Sequence, residues 1–330
     1  MNVPFRAFAL PLLSLVLILP GLADKPSDDP LANFLGKLGY ERVPLKRDTR
    51  TNLEHPGEGN NLYLDARVDG RKQKWLLDTG FSITCFDRPA GKRYQTLAEL
   101  GHPIDDPVLG TISDTNFVLI RELQLGPMRL TNQPAQVKDL GNRWSYTEMD
   151  AVLGMDLLRR HHAVIDFLGK NLFLRAEEPD EKTAKLFDAS LRHSRWIAMP
   201  TTESGFCNYV RTSIRAEPLR LLVDSGADFT KLDLAVAKRL GLKPEDTRLT
   251  SRGIEDRAAK SFSARVPLMV MPGLAFTNVP VLVSDMTLWQ PKGGEPIDGL
   301  IGADWLAVYE AVLDCQTGQL YLRPPARPKK

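Results

Sequence analysis

Trp75-Leu76-Leu77-Asp78-Thr79-Gly80 and Leu221-Leu222-Val223-Asp224-Ser225-Gly226 are two copies of one short signal in one chain. Each reads as a buried apolar strand running into a tight turn that carries a carboxylate. A lone Asp-Thr/Ser-Gly arises by chance in roughly one chain in seven of this length, so the pairing, not the tripeptide, carries the information.

The repeat extends past the tripeptide. Val152-Leu153-Gly154-Met155-Asp156 returns as Leu300-Ile301-Gly302-Ala303-Asp304, and Ala163-Val164-Ile165-Asp166 returns as Ala311-Val312-Leu313-Asp314. Asp224 lies 146 residues after Asp78, and Gly302 and Asp314 lie 148 after Gly154 and Asp166. A period this long predicts two packed lobes of one design rather than a solenoid.

The pattern within each copy is mostly β. Leu62 to Val68 alternates, Asp69-Gly70 turns, and Lys74 to Leu77 delivers Asp78; Tyr209 to Ile214 and Leu219 to Val223 deliver Asp224 in the same way. Hairpins are expected at Gly126-Pro127 and Pro272-Gly273, with closing hairpins at Gly169-Lys170-Asn171 and Gln316-Thr317-Gly318. Leu232 to Leu242 reads as a short helix with Asp233 as its cap, and Leu97 to Leu100 as its weaker counterpart.

The chain has 330 residues, 43% hydrophobic and 25% charged, enough for two cores. Its net charge of +2 comes with no Lys/Arg-rich run interleaved with aromatics, so no nucleic-acid partner is expected. Cys85, Cys207 and Cys315 are too few for a disulfide scaffold; Cys207 and Cys315 either pair or stay as buried thiols. No Cys/His spacing matches a zinc site, and neither a metal nor a cofactor is implied.

Residues 1–23 carry Arg6, an apolar run from Phe8 to Leu19 and small residues before Ala23, which reads as a cleaved export signal. The competing reading, a membrane anchor, has to accommodate Pro11 and Pro20 and a run short of about 20 continuous residues. Residues 24–39 are expected to be a flexible leader or a short pro-segment with little to bury, 40–176 the first lobe, 177–195 a solvated linker and 196–325 the second lobe. After signal cleavage no membrane association is expected. The product is placed in the periplasm or outside the cell.

Two carboxylates that share one proton supply both partners of a hydrolysis, because like charges in contact cannot both ionise and one group becomes the base, the other the acid. Gly80 and Gly226 let backbone N–H groups approach the carboxylates, and Thr79 and Ser225 supply hydroxyls to tie the two loops together.

With these residues the chain resembles the aspartic-protease superfamily: a pepsin-like two-lobed arrangement in one chain, with retroviral-type (retropepsin-like) local motifs. Asp224-Ser225-Gly226-Ala227-Asp228-Phe229-Thr230 is similar to the retroviral-type loop, and Val152-Leu153-Gly154 and Leu300-Ile301-Gly302 to the element packed behind it. The resemblance implies an all-β, bilobal acid-protease fold with barrel-like lobes and a few short helices. It also implies an aspartic endopeptidase acting as a monomer on a peptide or protein substrate, with Asp78 and Asp224 as the dyad. By the same resemblance Asp228 contacts substrate, and flaps lie between Asp105 and Phe117 and between Thr250 and Phe262 with Gly110 and Gly253 as hinges. The chain departs from pepsin-like enzymes in having Phe81 and Ala227 after the glycines, where a hydroxyl is usual, and no Tyr in either flap segment. The missing hydroxyls predict a mildly acidic optimum, and Phe81 is a candidate for the apolar role of the flap Tyr. A different class of function, an exported peptide-binding module that keeps the cleft without the chemistry, is the alternative.

Overall fold

The computed structural model describes residues 29–47, 60–100, 104–106, 109–112, 116–140, 149–252, 258–290 and 295–323. The expected export signal and Gly253 lie outside them. From the amino end, α1 (Pro30–Lys37) leads to β1 (Glu41–Pro44) and β2 (Lys46–Arg47). The first lobe continues with β3 (Leu62–Val68), β4 (Arg71–Leu77), β5 (Cys85–Asp87), α2 (Arg88–Gly91), α3 (Leu97–Leu100), β6 (Ile104–Asp106), β7 (Gly110–Ile112), β8 (Phe117–Leu125), β9 (Met128–Lys138), β10 (Ala151–Leu153) and α4 (Met155–Arg160). After β11 (Val164–Asp166), β12 (Asn171–Leu174) and the connecting α5 (Glu181–His193), the second lobe repeats the plan. It comprises β13 (Ile197–Ser204), β14 (Cys207–Ile214), β15 (Glu217–Val223), β16 (Lys231–Asp233), α6 (Leu234–Arg239), β17 (Glu245–Arg252), β18 (Ala258–Met271), β19 (Leu274–Ser284), β20 (Gly299–Ile301), α7 (Ala303–Val308), β21 (Val312–Asp314) and β22 (Gln319–Leu322).

The chain is all-β with short helices, in two lobes. In the first lobe the strand order is β3-β4-β10-β5-β9-β8, and a β3–β8 pairing closes the ring. In the second it is β14-β15-β20-β16-β19-β18, closed by β14–β18. Closure removes the free edges that an open sheet exposes. Alternation does the rest: β3 buries Leu62, Leu64, Ala66 and Val68, while Asp65 and Arg67 face out.

The base of the molecule is one sheet built by both lobes, β1-β12-β11-β21-β22-β13. At its centre β11 pairs antiparallel with β21, Val164 opposite Asp314, Ile165 opposite Leu313 and Asp166 opposite Val312. Each residue thus meets the repeat-equivalent of its mirror position, and Ile165 faces its own counterpart. The two lobes are related by a pseudo-two-fold axis through that pair.

Two expectations about connecting segments need correction. Residues 29–39 of the segment expected to have little to bury are packed: Asp29 caps α1 by accepting from Leu31 and Ala32 N–H, and Leu35 is fully buried against Tyr40, Phe173, Phe187 and Tyr321. The 177–195 linker is not wholly solvated either, since α5 buries Phe187 and Leu191 in the same cluster. Together they cover the outer face of the shared sheet. The helix expected from Leu232 begins later, at Leu234, because Lys231 to Asp233 pair with β20 and β19; Asp233 caps it as expected. All three cysteines are buried free thiols, which resolves the choice left open for Cys207 and Cys315.

Candidate active site

Both aspartates sit where a central strand of a lobe stops. The parallel pairing of β4 with β10 puts Asp78 N–H on the carbonyl of Leu153 at 3.1 Å, and that of β15 with β20 puts Asp224 N–H on Ile301 at 3.0 Å. Each carboxylate then accepts the N–H two residues on: Gly80 to Asp78 Oδ1 at 2.9 Å and Gly226 to Asp224 Oδ1 at 3.0 Å.

The loops grip one another across the two-fold axis. Thr79 N–H donates to Ser225 Oγ and Ser225 N–H to Thr79 Oγ1, both at 3.0 Å. The hydroxyls in turn donate across the lobes, Thr79 to the carbonyl of Val223 at 2.8 Å and Ser225 to that of Leu77 at 2.9 Å. Both side chains are fully buried. A hydroxyl can accept one bond and donate another, which is why Ser or Thr, and no apolar residue of that size, completes this closed set.

The glycines are required by proximity. A Cβ on Gly80 would lie 2.6 Å from Asp224 Cγ, and one on Gly226 would lie 2.3 Å from Asp78 Cγ. Each loop therefore lays bare backbone against the other loop's carboxylate, and the two carboxyls come together at the seam of the lobes. Burial pushes Asp78 well above the usual carboxylate range, the charge of Asp224 adds to this, and the Gly80 N–H opposes it. Burial also raises Asp224, against the opposing charge of Lys231. One proton shared by the pair follows from that arrangement.

A second tier that the sequence reading did not assign holds the loops from behind. Thr84 donates to Asp156 Oδ1 from both N–H and Oγ1 at 2.7 Å, and its hydroxyl accepts from Gly154 N–H at 3.0 Å. Thr230, Asp304 and Gly302 repeat the set at 2.8, 2.9 and 3.1 Å. The signal was present, since Thr84 and Thr230 stand equally far beyond their aspartates and Asp156 and Asp304 equally far beyond their glycines.

A profile of the family described as aspartyl protease matches residues 64–157 and again 210–305, once per repeat and over more than half of the chain. The chain belongs to the aspartyl protease family. No curated protein matches the sequence. Among solved structures, an aspartic proteinase from Irpex lacteus is similar with a TM-score of 0.49 and 14% identity, over 86% of this chain and 97% of that one.

Within this aspartyl protease, the remaining expected residues divide. Gly110 pairs with Asp106 in the isolated β6–β7 hairpin, inside the segment expected to form a flap, and β17–β18 form the hairpin of the second lobe. Phe81 packs against Tyr63, Leu76, Cys85, Leu140 and Val152, with the Lys138 ammonium 5.0 Å from its ring centre. Asp228 Oδ1 accepts the N–H groups of Asn60 at 2.9 Å and Asn61 at 3.3 Å, so its carboxylate ties the first lobe to the second-lobe loop. Ser82 makes a further bond between lobes, to the carbonyl of Gly205 at 2.5 Å.

Proposed function

We propose that this aspartyl protease is an active endopeptidase that hydrolyses peptide bonds with water held between Asp78 and Asp224. The observation that carries the reading is the pair of carboxyls, each set against the other loop's glycine and held there by the Thr79–Ser225 grip. The ionised member takes a proton from water as its oxygen attacks the peptide carbonyl, and the protonated member gives its proton to the carbonyl oxygen. The resulting gem-diol collapses as the first proton passes to the leaving nitrogen and the second carboxyl recovers its own. The loops undergo little rearrangement in this sequence, since their donors are already committed, and preorganisation of that kind lowers the barrier.

Both halves of the site lie on one chain, which supports action as a monomer on an extended peptide or protein segment. The composition of residues 1–23 supports export.

The test is mass-spectrometric cleavage of a diverse peptide library from acid to neutral pH by protein beginning at Asp24, beside Asp78→Asn and Asp224→Asn. Cleavage is expected in the wild type, with a loss of about a thousandfold or more in each variant. A folded wild type that cuts nothing would make the chain a peptide-binding module. Cleavage surviving both substitutions would move the chemistry away from the aspartates.

A further inference from the structure

Two further contacts cross between the lobes just beyond the dyad, and they occupy matching places. Ser82 stands four residues after Asp78, and Asp228 four after Asp224. Ser82 Oγ donates to the carbonyl of Gly205 at 2.5 Å, and Asp228 Oδ1 accepts from Asn60 N–H at 2.9 Å and Asn61 N–H at 3.3 Å. Gly205 lies two residues before β14 and Asn60 two before β3. Each contact therefore joins the dyad loop of one lobe to the entry of the strand that opens the other lobe's ring.

Those strands matter because of what they pair with. β3 runs antiparallel to β4, which stops just before Asp78, and β14 runs antiparallel to β15, which stops just before Asp224. The contacts thus bear on how far apart the two dyad-bearing sheets stand. Ser82 and Asp228 are related by the pseudo-two-fold axis, so they lie on opposite sides of it. The two sides are held differently. On one, the hold is divided: Ser82 grips Gly205, while Arg159 of α4 pairs with Glu203 at 2.5 Å and donates to Asn208 Oδ1 at 3.1 Å, on the two arms of the same β13–β14 turn. On the other, three bonds converge on one residue, since Asn60 Nδ2 also donates to the Asp228 carbonyl at 3.0 Å. The residue 148 positions beyond Arg159 is Ala307, which has no polar side chain to add there.

We propose that Asp228 is the brace that sets the spacing of the two lobes on its side of the dyad, and with it the fit of an extended substrate. This rests on the protease reading above and adds a positioning residue to it. The dyad itself does not depend on the brace, because the Thr79–Ser225 bonds already hold both loops next to the aspartates. Three residues further along the second-lobe loop, the Asp228 contacts take over from that grip. Without them the lobes part beside an intact dyad. A peptide that must touch both lobes then binds less well, while the chemistry of a bound peptide is kept. In kinetic terms KM rises and kcat stays.

Asp228→Ala and Asp228→Asn separate the brace from its charge. D228A loses the side-chain acceptor, and KM for a long peptide should rise about tenfold with kcat and both limbs of the pH profile kept. D228N keeps an acceptor oxygen in the same place and should stay within about twofold of the wild type. Ser82→Ala should move KM less than D228A, because Arg159 still holds that side. Lobe spacing is measured without turnover, by pulsed EPR between spin labels on Arg67→Cys and Arg211→Cys, exposed positions on β3 and β14, the native thiols being buried. The distance distribution should broaden in D228A and match the wild type in D228N. If D228A does not fold, Asn60→Ala, which removes only the amide bond to the Asp228 carbonyl, takes its place with a smaller rise and a smaller broadening. An unbroadened distribution overturns the brace while leaving the protease reading standing, and equal KM losses in D228N and D228A overturn it in favour of the Asp228 charge. Broadening in a folded protein that cuts no peptide supports the brace and sinks the protease reading instead.

Discussion

At the scale of single residues, the glycines beside the aspartates carry a constraint distinct from ordinary turn chemistry. The group a Cβ on Gly226 would strike is the Asp78 carboxyl, at 2.3 Å, the movable end of a side chain. Gly226→Ala should therefore displace Asp78 while the loop survives: peptide cleavage is expected to fall a hundredfold or more, with Tm lowered by only a few degrees. Similar losses in both would show that the loop itself had given way. Acidity belongs to this scale too. Activity needs one carboxyl ionised and the other protonated, and both are raised, so the rate should peak above the ordinary carboxylate range of about pH 4. The sequence reading reached the same direction from the missing hydroxyls at positions 81 and 227. In the folded protein the first cause is burial, which one sequence shows only indirectly. Asp78, Asp224, Thr79 and Ser225 were legible because duplication repeats them.

Among elements, what survives duplication was readable and what forms between distant segments was not. The hairpins feeding Asp78 and Asp224 and the closing hairpins all lie where turn residues placed them. α1 escaped notice because a short helix among polar residues looks like a tail until Phe187 and Tyr321, far along the chain, arrive to cover its Leu35. A chain beginning at Tyr40 loses that contact and should be destabilised by about 2 kcal/mol, read as a lower denaturation midpoint against a chain beginning at Asp24. The hydroxyls of Thr84 and Thr230 make a second case. Thr84→Val leaves the buried Gly154 N–H without its acceptor and should cost about 1–3 kcal/mol, measured by urea denaturation. Gly302→Ala should be worse than Gly226→Ala for folding, because its Cβ would come 2.4 Å from the backbone carbon of Phe229, which cannot swing aside.

For the whole molecule, buried acids set the response to pH. Asp166 and Asp304 are each pushed up to about 6 by burial, and Asp156 and Asp314 move the same way. A carboxyl whose folded pKa exceeds its unfolded value, about 4, holds its proton more tightly when folded. Its contribution is complete below about pH 4 and is lost as pH rises through about 6. Exposed Asp180 and Asp285, held low by bonds from Thr183 and Thr287, act oppositely and lose their contribution as pH falls below about 4. Thermal unfolding should accordingly occur several degrees higher at about pH 4.5 than at about pH 7.5, and the reverse order would mean these carboxyls are ionised in the folded state. The shared β1-β12-β11-β21-β22-β13 sheet has a different consequence. Its central β11–β21 seam, the reciprocal Thr79–Ser225 bonds and the ion pair of Arg159 with Glu203 at 2.5 Å join the halves without using the peptide chain between them. A protease nick in the exposed stretch before α5 should thus leave a particle that elutes from a sizing column as one species under native conditions and separates into two fragments only in denaturant: in effect, a dimer whose subunits happen to share a backbone.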